Sequence, residues 1–191
     1  MFWNETDHCW KDFDIIAGHH LEGFFASSVV PLLLGTHRRS VEDLSLFVQY
    51  MARQLNYQCG IPTSDHCSGL QWDFPNSWAP LQHAIVGGME NIANVVPEAG
   101  DLAKKLVKQW LNCNYCGWKT TGGPGKGLMF EKYDVNRMGI PGHGGEYVVQ
   151  VGFGWTNGVA LEFLAKYGRD FVPTYCHESP SKNVVEESKN L

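Results

Sequence analysis

Apolar residues recur at helical spacing in several stretches of the chain. Ser40 with Asp43 three residues on resembles a capping box. Val41, Leu44, Phe47, Val48, Met51 and Leu55 follow on one face, which predicts an amphipathic helix. Pro80 suits the first turn of a second helix carrying Leu81, Ile85, Met89, Ile92 and Val96. Pro97 breaks that pattern and starts another, over Glu98 to about Asn112, with Leu102, Leu106 and Trp110 in register. A short helix is predicted at 27–34, with Pro31 in its first turn and Gly35 closing it. The last runs through Ala160, Leu161 and Leu164 to Tyr167, capped by Thr156 or Asn157 and stopped by Gly168.

Between these five helices the pattern changes. Residues 1–26 read as loop with a short strand-like piece, and 128–133 and 146–151 read as extended. Residues 57–80 form a long non-helical segment with too many aromatics for disorder, and a loop of that length in a compact domain is usually functional. The layout is all-α, with loops collected at one end of a helical array. No sequence repeat of fixed period is visible.

Composition narrows the classes. The 191 residues suit one domain, and 43% hydrophobic with 18% charged places the chain among globular proteins. The net charge is −5 and the basic residues form no stripe, so nothing tracks a nucleic-acid backbone. The longest apolar runs fall well short of the ~18 residues needed to cross a bilayer, so no membrane span is expected. The N-terminal MFWNETDHCWKDFD lacks a basic region and a small-residue cleavage site, unlike a signal peptide. Its aromatics begin at once, as though an earlier portion preceded it.

The six cysteines are too few and too scattered for a small disulfide scaffold. Cys113 and Cys116 form a C-x-x-C with no second pair or histidine partner at zinc spacing, so buried or free thiols are expected there rather than a metal. His19 and His20 are consecutive, point apart on any regular element and make a poor metal pair. Asn4-Glu5-Thr6 matches the N-glycosylation sequon, which matters only in an exported protein.

Residues 122–158 hold 11 of the 21 glycines, interleaved with Phe130, Tyr133, Tyr147, Phe153 and Trp155 and with two glutamates, Glu131 and Glu146. Flat apolar rings, carboxylates and a permissive backbone together suit a sugar, whose C–H face stacks on aromatics while its hydroxyls donate to carboxylates. A glycine-rich surface loop with ordinary exposed acids is the plainer alternative.

Three runs then resemble one family. QWDFPNSWAP at 71–80, EKYD at 131–134 and GGEYVVQVGFGWTNG at 144–158 look like the motifs of the α,α-trehalases in order, with GIPTS at 60–64 in support. The resemblance covers the chain from the Phe2-Trp3-Asn4 region to Tyr167. It implies an (α/α)6 barrel glycosidase that hydrolyses trehalose to two glucose molecules with inversion and needs no metal or organic cofactor. By the same resemblance Glu131 is the general base, Glu146 contacts the sugar and Trp72 walls the pocket. Gln71 and Asp73 are secondary candidates beside it.

An inverting glycosidase needs an acid and a base about 6.5–9.5 Å apart. The family's acid is an aspartate in an earlier motif of the SGWDFSSRW type, which this chain does not contain, and Arg38, Arg39, Arg53, Arg137 and Arg169 match none of the sugar-clamping arginines. Twelve helices close such a barrel, against five here. The expectation is therefore the C-terminal part of the catalytic domain over 1–172, with a polar, frayed tail over 173–191. Alone it would leave apolar faces unpartnered and have little activity. Val151 stands where the family has glutamate, and His143 interrupts the glycine run. Both raise the alternative of a non-catalytic sugar-binding or regulatory relative, beside a third possibility of a different (α/α)6 glycosidase. A secreted or cell-surface setting is favoured over a cytoplasmic one.

Overall fold

The computed structural model describes residues 2–174 and 176. Four short strands open it as two hairpins, β1 (Trp3–Asn4) with β2 (Cys9–Trp10) and β3 (Phe13–Asp14) with β4 (His19–His20). A 3-10 turn, Ala26–Val29, leads into α1 (Val30–Leu33) and then α2 (Val41–Arg53). After a long segment come β5 (Asn76–Trp78), α3 (Ala79–Ile92) and α4 (Pro97–Thr120). Strand β6 (Lys132–Asp134) and α5 (Gly154–Tyr167) complete the order.

The helices form where apolar spacing and capping coincide. Ser40 accepts a hydrogen bond from the Asp43 amide, satisfying one of the orphan N–H groups at the start of α2, and Leu44, Phe47, Val48 and Met51 are buried behind it. Prolines sit in the first turns of α3 and α4, where no N–H is needed. α3 packs on α4, α1 lies against α3, and α5 touches both α3 and α4. α1 comes close because α3 offers Gly88 there: a Cβ at that position would stand 2.7 Å from a Val29 methyl.

Several boundaries differ from those expected, and α3 ends at Ile92, leaving the buried Val96 of its predicted stripe beyond the helix. α4 runs through Thr120 instead of ending near Asn112. Its C-terminal turns bury Cys113, Cys116 and Gly117, the last packed under the Tyr133 ring and the Gly139 carbonyl, so tertiary contacts extend the helix beyond its simple apolar stripe. α5 begins at Gly154, and neither Thr156 nor Asn157 caps it. Thr156 instead donates to the Glu131 carbonyl, and Asn157 donates to that of Gly152. The segment 57–80 contains β5, which pairs antiparallel with β6 in the register Asn76↔Asp134, Ser77↔Tyr133, Trp78↔Lys132.

The cysteines are the clearest correction. Cys59 is bonded to Cys113 and Cys116 to Cys176, so the C-x-x-C thiols are neither free nor merely buried. Three residues apart on α4, the two sulfurs emerge on one side of the helix and each meets a different incoming segment. Spacing along the chain could not reveal those partners. Cys9 is buried and Cys67 exposed as free thiols. The second bond and the Thr174 amide, which donates to Asn112, tether the chain just past 172; the rest of the expected tail lies outside the described residues.

Among the described residues no cluster of His, Cys, Asp and Glu is placed to hold a metal, and no helix is long and apolar enough to cross a membrane. α5 is nearly apolar all round yet leaves Leu161 and Leu164 exposed, as do Val30 and Leu34 near α1. Five helices are too few to cover every such face.

The Cys59–Cys113 bond closes 54 residues, a loop for which the chain-entropy model gives about 4 kcal/mol of stabilisation. Replacing both cysteines by alanine is expected to lower unfolding free energy by about 2–5 kcal/mol, read as a shifted urea midpoint.

Candidate active site

β5 and β6 carry the site. Their pairing joins the run 71–80 to the run 131–134, and isolated backbone contacts extend the joint toward 150. The Glu131 amide donates to the Gln150 carbonyl at 2.9 Å, Phe130 bridges Val151, and the Gly152 amide donates to Met129. The stretch 146–151 is thus extended where it meets Phe130 and Glu131, although it forms no strand of its own.

Glu131 is 3% exposed and both carboxylate oxygens have donors. Tyr147 Oη donates to one at 3.1 Å and the Gln150 amide to the other at 3.2 Å. Its backbone carbonyl accepts from Trp155 Nε1 at 3.3 Å and from Thr156 Oγ1 at 3.2 Å. Neither Lys132 nor Arg137 forms an ion pair with it, so it is not a structural salt-bridge glutamate. Partial burial, then the hydrogen bond to Glu131 and its charge, push the Tyr147 phenol above its ordinary value.

A wall of indoles reaches the Glu131 backbone through Trp155. Trp72 stacks on Trp78 with centroids 4.1 Å apart and planes 11° from parallel, and Trp155 meets both edge-on, at 6.3 and 5.4 Å. Trp78 is buried and donates its Nε1–H to the Gln71 carbonyl, while Trp72 is 42% exposed. An open indole face braced from behind by a buried one is a platform for an apolar ring face.

Lys132 lies at the centre with no exposed surface. Its ammonium donates to the carbonyls of His143 and Gly144, each at 3.0 Å, and sits 5.2 Å from the Trp78 ring centroid. Burial lowers its pKa, partly opposed by the Glu131 charge. The His143 amide donates to Asn76 Oδ1, and Gly142 fits so closely that a Cβ there would reach 2.2 Å from that oxygen. Gly144 and Gly145 take the left-handed turns, at φ of 82° and 89°, whereas His143 does not need a positive φ. The histidine that interrupts the glycine run therefore imposes no left-handed backbone strain.

The candidates separate accordingly. Glu131 and Trp72 are joined through Trp155. Glu146 adjoins Tyr147 on the same loop; it is exposed and makes no ion pair or side-chain hydrogen bond among the described residues. Gln71 lies against Gly145 with its side-chain oxygen buried and unpartnered. Asp73 is turned elsewhere: its carboxylate accepts from Ser64 and Ser68 and staples its own loop, so it does not join the site. Tyr147, Gln150, Trp78 and Lys132 were not among the site candidates from sequence. Tyr147 lies one residue past Glu146 in a glycine run, but the contact to Glu131 depends on a turn that spacing does not encode.

Lys132→Met keeps the length and removes both carbonyl bonds. Hydrogen exchange of amides in 142–150 is then expected to accelerate about 10²–10⁴-fold, since bonds from a charged donor contribute ~1.5–3 kcal/mol each, while α3 and α4 keep their protection.

Comparison with known proteins fits this geometry. Residues 1–168 match the family described as Trehalase. The chain is 36% identical to a trehalase of Dictyostelium discoideum over 181 residues, covering 92% of this chain and 30% of that protein. It is 40% identical to that of Homo sapiens over 169 residues (88% and 28%) and 41% identical to that of Tenebrio molitor over 171 (87% and 30%). It therefore spans under a third of the length of these relatives. Among solved structures it resembles neutral trehalase Nth1 from Saccharomyces cerevisiae, with TM-score 0.66 and 19% identity over 87% of this chain and 28% of that one. It also resembles a GH63 mannosylglycerate hydrolase from Thermus thermophilus, with TM-score 0.58 and 20% identity over 86% and 35%. The fold is part of an (α/α)6 toroid, incomplete in this chain. By sequence match over most of its length, the chain belongs to the trehalase family.

Proposed function

We propose that this chain supplies the general-base side of an inverting glycosidase site acting on α,α-trehalose, with the acid contributed by residues outside it. Glu131 takes the proton from the attacking water, Trp72 stacks against a glucose ring, and Glu146 and the unpartnered Gln71 oxygen accept from sugar hydroxyls. No metal or organic cofactor enters the scheme. The observation that carries it is the setting of Glu131: a buried carboxylate held by two neutral donors, on a residue linked through Trp155 to a braced indole face.

A non-catalytic sugar-binding relative is the second reading, favoured by one feature. Val151, exposed beside the Phe130–Glu131 backbone, places a hydrocarbon where the family resemblance expects an acid. A charge that could hold a sugar hydroxyl is thereby missing.

Glucose release from trehalose separates the two. If the full gene product includes the acid-bearing part, it is expected to turn over trehalose, and Glu131→Gln to lower kcat by about 10²–10⁴-fold with KM little changed. The 191-residue chain alone is expected to show little turnover. Retained turnover in Glu131→Gln removes Glu131 as base, whereas saturable trehalose binding without turnover by the full product supports the second reading.

A further inference from the structure

We propose that Asn4 carries an N-linked glycan, and that the protein is made in an oxidising compartment where such glycans are attached. The sequence supplies the acceptor, Asn4-Glu5-Thr6, with no proline at the middle position. That motif means nothing in a reducing cytosol. The two cystines supply the missing condition. Cys59–Cys113 and Cys116–Cys176 join residues 54 and 60 positions apart and fasten two segments to one helix, the pattern of structural bonds formed where thiols are oxidised. Neither pair is the C-x-x-C couple itself, so these are not the two sulfurs of a local redox motif.

The local geometry suits a glycan. Asn4 ends β1, and the hairpin turn that follows exposes Glu5 and Thr6. Asn4 Oδ1 accepts from the Thr6 amide at 2.8 Å and the Asp7 amide at 2.9 Å, which fixes the side chain through its oxygen. The nitrogen is left with a single long contact, 3.4 Å to His20 Nδ1. Nδ2 has two hydrogens. Attachment forms a bond from Nδ2 to the anomeric carbon of an oligosaccharide held on a lipid diphosphate. The carbon–oxygen bond to the diphosphate breaks, the diphosphate departs with the electron pair, and one amide proton passes to the transferase. The second hydrogen remains for His20, and neither oxygen contact involves the atom that is modified.

This inference is independent of trehalose chemistry and is tested without an activity assay. Protein isolated from the cells that make it is digested without reduction, and the Asn4 peptide is weighed before and after peptide N-glycosidase treatment in heavy-oxygen water. The expected result is a glycopeptide that converts to heavy-labelled aspartate at position 4, in the same digest as the two cystine-linked peptides. Unmodified Asn4 alongside intact cystines overturns the glycan, and thiols at all six cysteines overturn the compartment as well. A variant control isolates the site: Thr6→Ala keeps the backbone amide that holds Asn4 Oδ1 yet destroys the acceptor. It is expected to abolish the gel shift completely while the protein stays folded, and a persisting shift on Asn4 overturns the assignment.

Discussion

A lysine ammonium buried with no carboxylate bonded to it is the constraint around which the site is arranged. Taking such a charge out of water costs several kcal/mol even after relaxation. Here the cost is offset by two backbone carbonyls and the face of Trp78. Both carbonyls belong to the glycine turn, so the turn cannot lift away without stranding the charge. The ring belongs to β5, directly opposite Lys132 in the β5–β6 register. One side chain therefore ties together the indole wall, the strand beginning just past Glu131 and the loop bearing Glu146 and Tyr147.

How much of this was legible in the sequence follows the length scale of each feature. α2 and α3 span several turns, enough for apolar periodicity and first-turn signals to place their starts within a residue or so, although they end at Arg53 and Ile92, short of the apolar stripes. β5 and β6 have three residues each, too few for alternation to show, and their pairing links positions more than fifty residues apart. The continuation of α4 past Asn112 is fixed by cystines and by the close fit of Gly117 under Tyr133, which are tertiary facts. For the candidate site, motif resemblance pointed to Glu131 and Trp72, which the fold links through Trp155. It also suggested Asp73, whose hydroxyl partners hold it in its own loop. Tyr147 went unnoticed because its role is set by a folded turn rather than a residue pattern.

The unpaired features of the site share a direction of argument. Trp72 is braced on one face and open on the other, Glu146 has no described partner, and the Gln71 oxygen has no donor. Buried polar atoms without partners are uncommon in native folds and mark places where water, a ligand or another segment completes the bonding. The exposed leucines of α5 make the same point for apolar surface, since a helix apolar on all sides is one meant to be covered. A toroid with fewer than half its helices presents both kinds of vacancy.

The separation of Glu131 from its neighbour completes the argument. An ammonium hydrogen-bonded to a carboxylate lowers its proton affinity, which would disarm a base. Glu131 and Lys132 are adjacent, yet the chain bends at Glu131 immediately before β6 begins, and the two side chains make different contacts. The glutamate turns toward Tyr147 and the Gln150 amide, and the lysine toward the carbonyls of His143 and Gly144. Two charged residues that are neighbours in the sequence thus bond to different partners. The lysine fixes the loop, the loop brings Tyr147 to the carboxylate, and the carboxylate is oriented by two neutral donors.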